Sequence, residues 1–301
     1  MGYSAERHEI LFDRELEGRG NHHSRGKELQ HQAVGLYRTK RIVCGEYLEL
    51  ESFPVWVWQR EATRAKRVKP TEAAQRAQNR KNAQKRLIRL MNTNFTEEDL
   101  FLTLTYSGEQ PATVEAAKKD MQAYIRRVKR WRDKQGLPEL RYIYTVECEG
   151  EGRRARVHHH IVMTGMDRDE AERLWGLGRA NSSRLQPDEY GLEGLARYFC
   201  KTQGTRAPGE RIYSCSRNLE KPHITYSEQK LSRRAIARGV DNEASLRELI
   251  ERREPDYIVN DITIRRSDMV AGAYVSVRMR RRPGAAGRRR NKTKDEGGHE
   301  R

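Results

Sequence analysis

Arg156-Val157-His158-His159-His160-Ile161-Val162-Met163 is the stretch on which the reading of the fold turns. Its apolar and β-branched residues make a strand. Successive side chains on a strand leave opposite faces, so His158 and His160 project together while His159 points the other way. Upstream, Arg141-Tyr142-Ile143-Tyr144-Thr145-Val146-Glu147 reads as a second strand, and the Gly/Glu/Arg-rich stretch 148–155 as the turn of a hairpin. Glu147 then ends the strand that pairs with the histidine strand, and Glu149 lies just past it. Two imidazoles and a carboxylate form a set that suits a divalent cation and leaves positions for phosphate oxygens. For either glutamate singly, a solvated turn is the competing account.

Outward from the hairpin, Leu100 to Tyr106 alternates as a strand, with Phe101, Thr103 and Thr105 on one face and Leu102, Leu104 and Tyr106 on the other. Val114 to Trp131 has helical spacing, with Ala117, Met121, Tyr124, Ile125, Val128 and Trp131 on its apolar side. Short helices follow at Asp167 to Trp175 and Gly191 to Lys201. In the second, Leu192, Leu195, Ala196 and Phe199 share one side, whereas Tyr198 and Lys201 share the other. A tyrosine off the apolar stripe is not used as core. A lysine one turn on can hold a phosphate or help lower the phenol's pKa. Alone, such a pair is most often just surface.

Farther out, Glu46 to Trp58 suggests short strands interrupted at Pro54, and Thr71 to Met91 a basic helix with Leu87, Ile88 and Met91 opposite Arg76, Arg80, Lys81 and Arg89. Beyond Lys221-Pro222 the pattern predicts helices at Ser227 to Gly239 and Asn242 to Arg253, then strands at Tyr257 to Ile264 and Ala273 to Val277. These elements predict an α+β fold: a central antiparallel sheet with helices packed mainly on one face, and basic helical flanks. The expected organisation is a polar, poorly ordered lead-in over 1–40, strands and a basic helix over 41–92, a central domain over 93–225, helices and strands over 226–279, and a disordered basic tail over 280–301.

The 301 residues carry a formal net charge of +17, with 36% hydrophobic and 34% charged. Such a charge favours a polyanionic partner, nucleic acid first. No run of about 18 apolar residues occurs, and Met1-Gly2-Tyr3-Ser4-Ala5-Glu6 has no apolar signal segment, so a soluble, cytoplasmic protein without a membrane partner is expected. Cys44, Cys148, Cys200 and Cys215 stand far apart, against a zinc ribbon or a disulfide framework.

The order of these features is more specific than any one of them. Phe101-Leu102-Thr103-Leu104-Thr105-Tyr106, then His158-His159-His160 followed by Ile161-Val162, then Tyr198-Phe199-Cys200-Lys201 resembles the three motifs of HUH rolling-circle replication endonucleases. The likeness is strongest to phage and plasmid initiators allied to the filamentous-phage gene II proteins. Asn79-Arg80-Lys81-Asn82 through Asn94-Phe95, and Ser216-Arg217-Asn218-Leu219-Glu220-Lys221-Pro222, are similar to the same group.

The resemblance implies a nickase that acts on single-stranded origin DNA. His158, His160 and Glu147 would hold Mg²⁺ or Mn²⁺, with Glu149 the alternative acid, Tyr198 would attack the phosphate, and Lys201 would orient it. A 5′-phosphotyrosine and a free 3′-hydroxyl would result, with host helicase and polymerase as partners. Two departures stand out. His159 occupies a place where a bulky hydrophobic residue is usual, and Phe199 follows Tyr198 with no second tyrosine a turn away, as in a single-tyrosine enzyme. A related nickase of conjugation or transposition, or a non-catalytic nucleic-acid-binding protein, are the alternatives. The absence of a GxxxxGK[ST] stretch argues against a fused helicase.

Overall fold

The computed structural model describes residues 12, 33–57, 72–107, 113–149, 156–201, 211–267 and 270–285. Its elements begin β1 (Val34–Cys44), β2 (Tyr47–Trp56), α1 (Glu72–Asn94), β3 (Leu100–Thr105), α2 (Val114–Lys134), β4 (Tyr142–Glu149) and β5 (Arg156–Met163). They continue α3 (Arg168–Arg173), β6 (Ala180–Arg184), α4 (Glu193–Lys201), β7 (Ser214–Cys215), β8 (His223–Ser227), α5 (Arg233–Asp241), α6 (Glu243–Arg253), β9 (Tyr257–Ser267) and β10 (Val270–Arg281). The fold is α+β. Two antiparallel sheets have the orders β6-β3-β5-β4-β7 and β8-β1-β2-β10-β9.

The first sheet is apolar on both sides. Leu100, Leu102, Leu104 and Ile161 pack against Met121, Tyr124, Ile125 and Val128 of α2, with Ala171 and Trp175 beyond them. On the reverse, Phe101, Ile143 and Val162 meet Leu87 and Met91 of α1 and Ala196 and Phe199 of α4. Helices therefore cover both faces, not mainly one as the sequence had suggested. The reason lies in the strands: odd-numbered Phe101 and Ile143 and even-numbered Val162 are as apolar as the residues on the other side, and each such face must be covered.

The second sheet buries one face under α5 and α6, where Ile236, Leu246 and Ile250 pack with Leu48, Leu50, Val275 and Val277. Its other face carries charge toward α1. Arg89 bonds Glu49 at 2.6 Å and Glu51 at 2.7 Å, and Lys40 and Lys85 lie 3.6 and 3.5 Å from Glu51. One helix thus turns an apolar side to the first sheet and a cationic side to the second. Burial alone would raise the Glu51 carboxyl, but Arg89, Lys85 and Lys40 outweigh it and hold it near 2.

A carboxyl held below its ordinary 4.5 contributes stability that is complete above that pH and is lost as pH falls toward 2. Glu51→Gln, which leaves buried Lys40 without its counter-charge, should cost about 3 kcal/mol at pH 7 and much less at pH 3. Denaturant melts at both pH values check this; an equal loss at both would show that the charge cluster is not its source.

Several segments differ from expectation. β1 starts at Val34, within the stretch expected as lead-in. Ala180-Asn181-Ser182-Ser183-Arg184 lacks strand-forming residues, yet forms β6 because it pairs with β3. His223–Ser227 pairs with β1 as a strand, and the helix expected from Ser227 starts later, as α5, with Ser232 accepting from Ala235 N as its cap. β10 continues to Arg281, where Arg280 pairs with Tyr47, and Arg282 N donates to Asp256 O, so the first arginines of the expected tail belong to the sheet. The basic cluster Arg288, Arg289, Arg290, Lys292 and Lys294 lies outside the described residues, as does 1–32 apart from Phe12.

Candidate active site

Strand pairing assembles the site. Thr103 and Thr145 flank His160, and Thr105 and Glu147 flank His158, so four residues from the two neighbouring strands share a face with the two histidines. Beyond β3, Asn181 of β6 lies level with Thr103. α4 covers the same face. Its Ala196, Phe199 and Cys200 are buried, whereas Tyr198 is 40% exposed and Lys201 is exposed.

Tyr198 Oη stands 3.0 Å from His160 Nε2, and Glu147 Oε2 stands 3.3 Å from that same nitrogen. Glu147 and His160 are both buried. His160 Nδ1 meets Thr103 Oγ1 at 3.1 Å, and the imidazole stacks on Phe101, with ring centres 5.8 Å apart. When Nδ1–H donates to Thr103, the Nε2 lone pair is turned toward Tyr198, available to its hydroxyl or to a cation. The sequence reading put Thr103 on the correct face but not its bond to His160, because a strand pattern gives facing and not register.

His159 occupies the reverse face, wholly buried beside Trp175, with its Nε2 2.9 Å from Tyr106 Oη. Tyr106 Oη in turn donates to Asp120 Oδ2 at 2.9 Å, so His159 must carry its proton on Nε2 to satisfy the chain. That tautomer leaves the unpartnered Nδ1 as a bare acceptor rather than a stranded donor. Burial, then the neighbouring His160 and His158, push the His159 pKa down to about 4, so the ring is neutral at physiological pH.

The start of α4 is fixed by α1 and the second sheet. Asn92 of α1 donates to Tyr190 O and accepts from Leu192 N, Tyr47 of β2 donates to Asp188 O, and Asn260 of β9 bonds Glu189 O. Arg278 of β10 bonds Glu193 at 2.8 Å and lies 4.3 Å from the centre of the Tyr190 ring. Gly191 adopts a φ of +75°, and a Cβ there would come within 2.5 Å of the Asn92 side chain. Gly191→Ala should therefore lower stability by more than about 1 kcal/mol and, by shifting α4, any activity of Tyr198; a thermal melt and an activity assay on the purified variant test it, and unaltered values of both would remove this constraint.

The two outlying stretches meet around Asn94, whose side chain accepts from Glu220 N at 2.8 Å and donates to Glu220 O at 2.9 Å. Ser216 Oγ accepts from Tyr142 N. They tie α1 and the strands together rather than lining the site.

A divalent cation suits the donors present, since a buried carboxylate already faces a buried imidazole and His158 lies level with Glu147 on the next strand. Among the described residues, no three His, Cys, Asp or Glu side chains are already gathered as a complete metal site. The Glu149 side chain lies outside the described residues. No helix among them is long and apolar enough to cross a membrane.

No curated protein and no solved structure matches the chain. A family model does: that of the replication-associated protein ORF2/G2P matches residues 99–203. The matched stretch begins just before β3 and ends just after Lys201, so it contains the histidine strand, Glu147 and Tyr198 and omits the second sheet. By that match the site-bearing part of the chain is similar to the replication-associated protein ORF2/G2P family, which is consistent with a rolling-circle replication initiator of phage or plasmid type.

Proposed function

We propose that this protein initiates rolling-circle replication by nicking single-stranded origin DNA through Tyr198, with the first sheet serving as an HUH nuclease domain. The observation that carries the reading is the approach of the Tyr198 hydroxyl and the Glu147 carboxylate to one nitrogen, His160 Nε2. A phosphodiester at this point meets a nucleophile that is exposed to solvent yet held by a buried, oriented imidazole.

Attack by Tyr198 Oη on phosphorus forms one P–O bond and breaks the bond to the 3′-oxygen. The products are a 5′-phosphotyrosine and a 3′-hydroxyl, with a net transfer of one proton from the phenol to the leaving oxygen. The phosphodiester energy is retained, so reversal rejoins DNA ends. With no cation bound His160 orients the phenol, Thr103 orients His160 for either partner, and Lys201, one turn from Tyr198, supplies positive charge for the phosphate. Glu147, His158 and His160 would hold Mg²⁺ or Mn²⁺, which when bound offsets charge on the phosphate and the leaving oxygen. The free 3′-hydroxyl suits a host polymerase, and a host helicase would supply unwinding.

Incubating the protein with circular single-stranded phage or plasmid DNA carrying its replication origin, plus Mn²⁺, tests the proposal. Nicking should yield linear DNA with protein on its 5′ end, and EDTA should prevent it. Binding without cleavage under these conditions would favour a non-catalytic DNA-binding protein.

A further inference from the structure

Few large hydrophobic side chains among the described residues are exposed, and Tyr198 is one of them. Two others, Ile224 at 44% and Tyr226 at 57%, sit on β8. That strand is the outer edge of the second sheet and lies outside the family match. Its pairing sets Ile224 level with Ile42 and Tyr226 level with Lys40, and the alternation of a strand puts all four on one face.

This is the face that α1 crosses, since Lys40 and Lys85 both reach Glu51. β8 therefore extends past the helix as a ledge, with Ile224 and Tyr226 on its upper side and α1 alongside. Beside Lys85 and Arg89, which pair with Glu49 and Glu51, the helix bears Arg76, Arg80, Lys81 and Arg86 against a single acid of its own, Glu72. The chain leading onto the ledge adds exposed Arg217, Lys221 and His223.

An exposed aromatic ring beside a cationic wall is the arrangement that holds an unpaired nucleic-acid strand, bases stacking on the ring while the cations follow the phosphates. A hydrophobic partner or a second copy would have to approach a strongly cationic chain of net charge +17, whereas a polyanion is drawn to it. Duplex bases are already stacked and gain little from the ring.

We infer that the β8 ledge is a second binding site for single-stranded DNA, with Tyr226 as its stacking platform and α1 and Lys221 as its phosphate contacts. It would hold a strand outside the nuclease face, increasing retention without taking part in cleavage. The inference rests on the reading that single-stranded DNA is the substrate.

Fluorescence anisotropy of the full chain with labelled oligothymidylate tests it, alongside a duplex of equal length. Tyr226→Ala should weaken single-strand binding about tenfold and leave duplex binding unchanged. Tyr226→Phe should bind as the wild type does, because the ring remains. The salt dependence should be the same in all three, since the residue carries no charge. Unchanged affinity in Tyr226→Ala, or a Phe variant as weak as Ala, would overturn the inference. So would a wild type that dimerises in sedimentation and becomes monomeric in Tyr226→Ala with DNA binding intact. If the wild type bound no single-stranded DNA at all, the reading of the nuclease site would fail with it; a failure confined to Tyr226 would leave covalent capture at Tyr198 untouched.

Discussion

Tyr198→Phe should abolish covalent capture and nicking of single-stranded DNA while leaving affinity for it within about twofold. The substitution removes one oxygen from a residue that is 40% exposed, so neither the α4 core of Ala196, Phe199 and Cys200 nor the cationic surface is disturbed. The ring also keeps its edge-on contact with His160, whose centre lies 5.0 Å away. Loss of activity would then report on the nucleophile and not on folding. Denaturing gels score the adduct, and anisotropy scores binding. A Phe variant that nicked at the wild-type rate would remove Tyr198 from the mechanism, and loss of both activity and binding would assign it to DNA binding.

The histidine triplet gives the second large effect, because strand alternation separates its members by role. His160→Ala removes the group that meets Tyr198, Glu147 and Thr103, and should reduce nicking by at least about a thousandfold. His158→Ala should fall in the same direction. His159→Ala leaves a cavity beside Trp175 and strands the Tyr106 and Asp120 chain, so it should cost about 2–4 kcal/mol of stability yet retain nicking at a temperature where it is folded. Metal-dependent nicking and thermal melts on all three variants give the comparison. Full activity in His160→Ala with none in folded His159→Ala would reverse the assignment of faces.

The parts of this arrangement that were legible in the sequence are those that depend on periodicity. Two-residue alternation in Leu100–Thr105 and Arg156–Met163 set the facing of Thr103, His158 and His160, and the helical stripe of Leu192, Ala196 and Phe199 set Tyr198 apart from the core. Pairing was not legible in the same way. β6 is a strand of Ala, Asn, Ser and Arg that exists because β3 offers it hydrogen bonds, and β8 follows a proline and pairs with a strand far upstream. The arginines from Arg280 onward looked like tail because charge runs usually do, yet Arg280 and Arg281 continue the ladder. The cover on the second face of the first sheet was missed for a related reason: helix α1 was read as a flank when its Leu87 and Met91 complete that core.

These tertiary pairings bear on function through α4. The helix that carries Tyr198 is held at its start by Asn92, Tyr47, Asn260 and Arg278, drawn from one helix and three strands of the second sheet. A truncation intended to remove only the basic C-terminal residues should therefore cut after Ala285, since a cut at Met279 would remove the last paired residues of β10.

The most direct test of the central claim is to identify the residue that becomes attached to DNA. The wild-type protein is incubated with single-stranded origin DNA and Mn²⁺, the adduct is digested with nuclease and protease, and the nucleotide-bearing peptide is sequenced by mass spectrometry. A single phosphotyrosine at Tyr198 is the predicted result. An adduct on another tyrosine, such as Tyr190 or Tyr226, or DNA cleaved without any protein attached, would contradict the account.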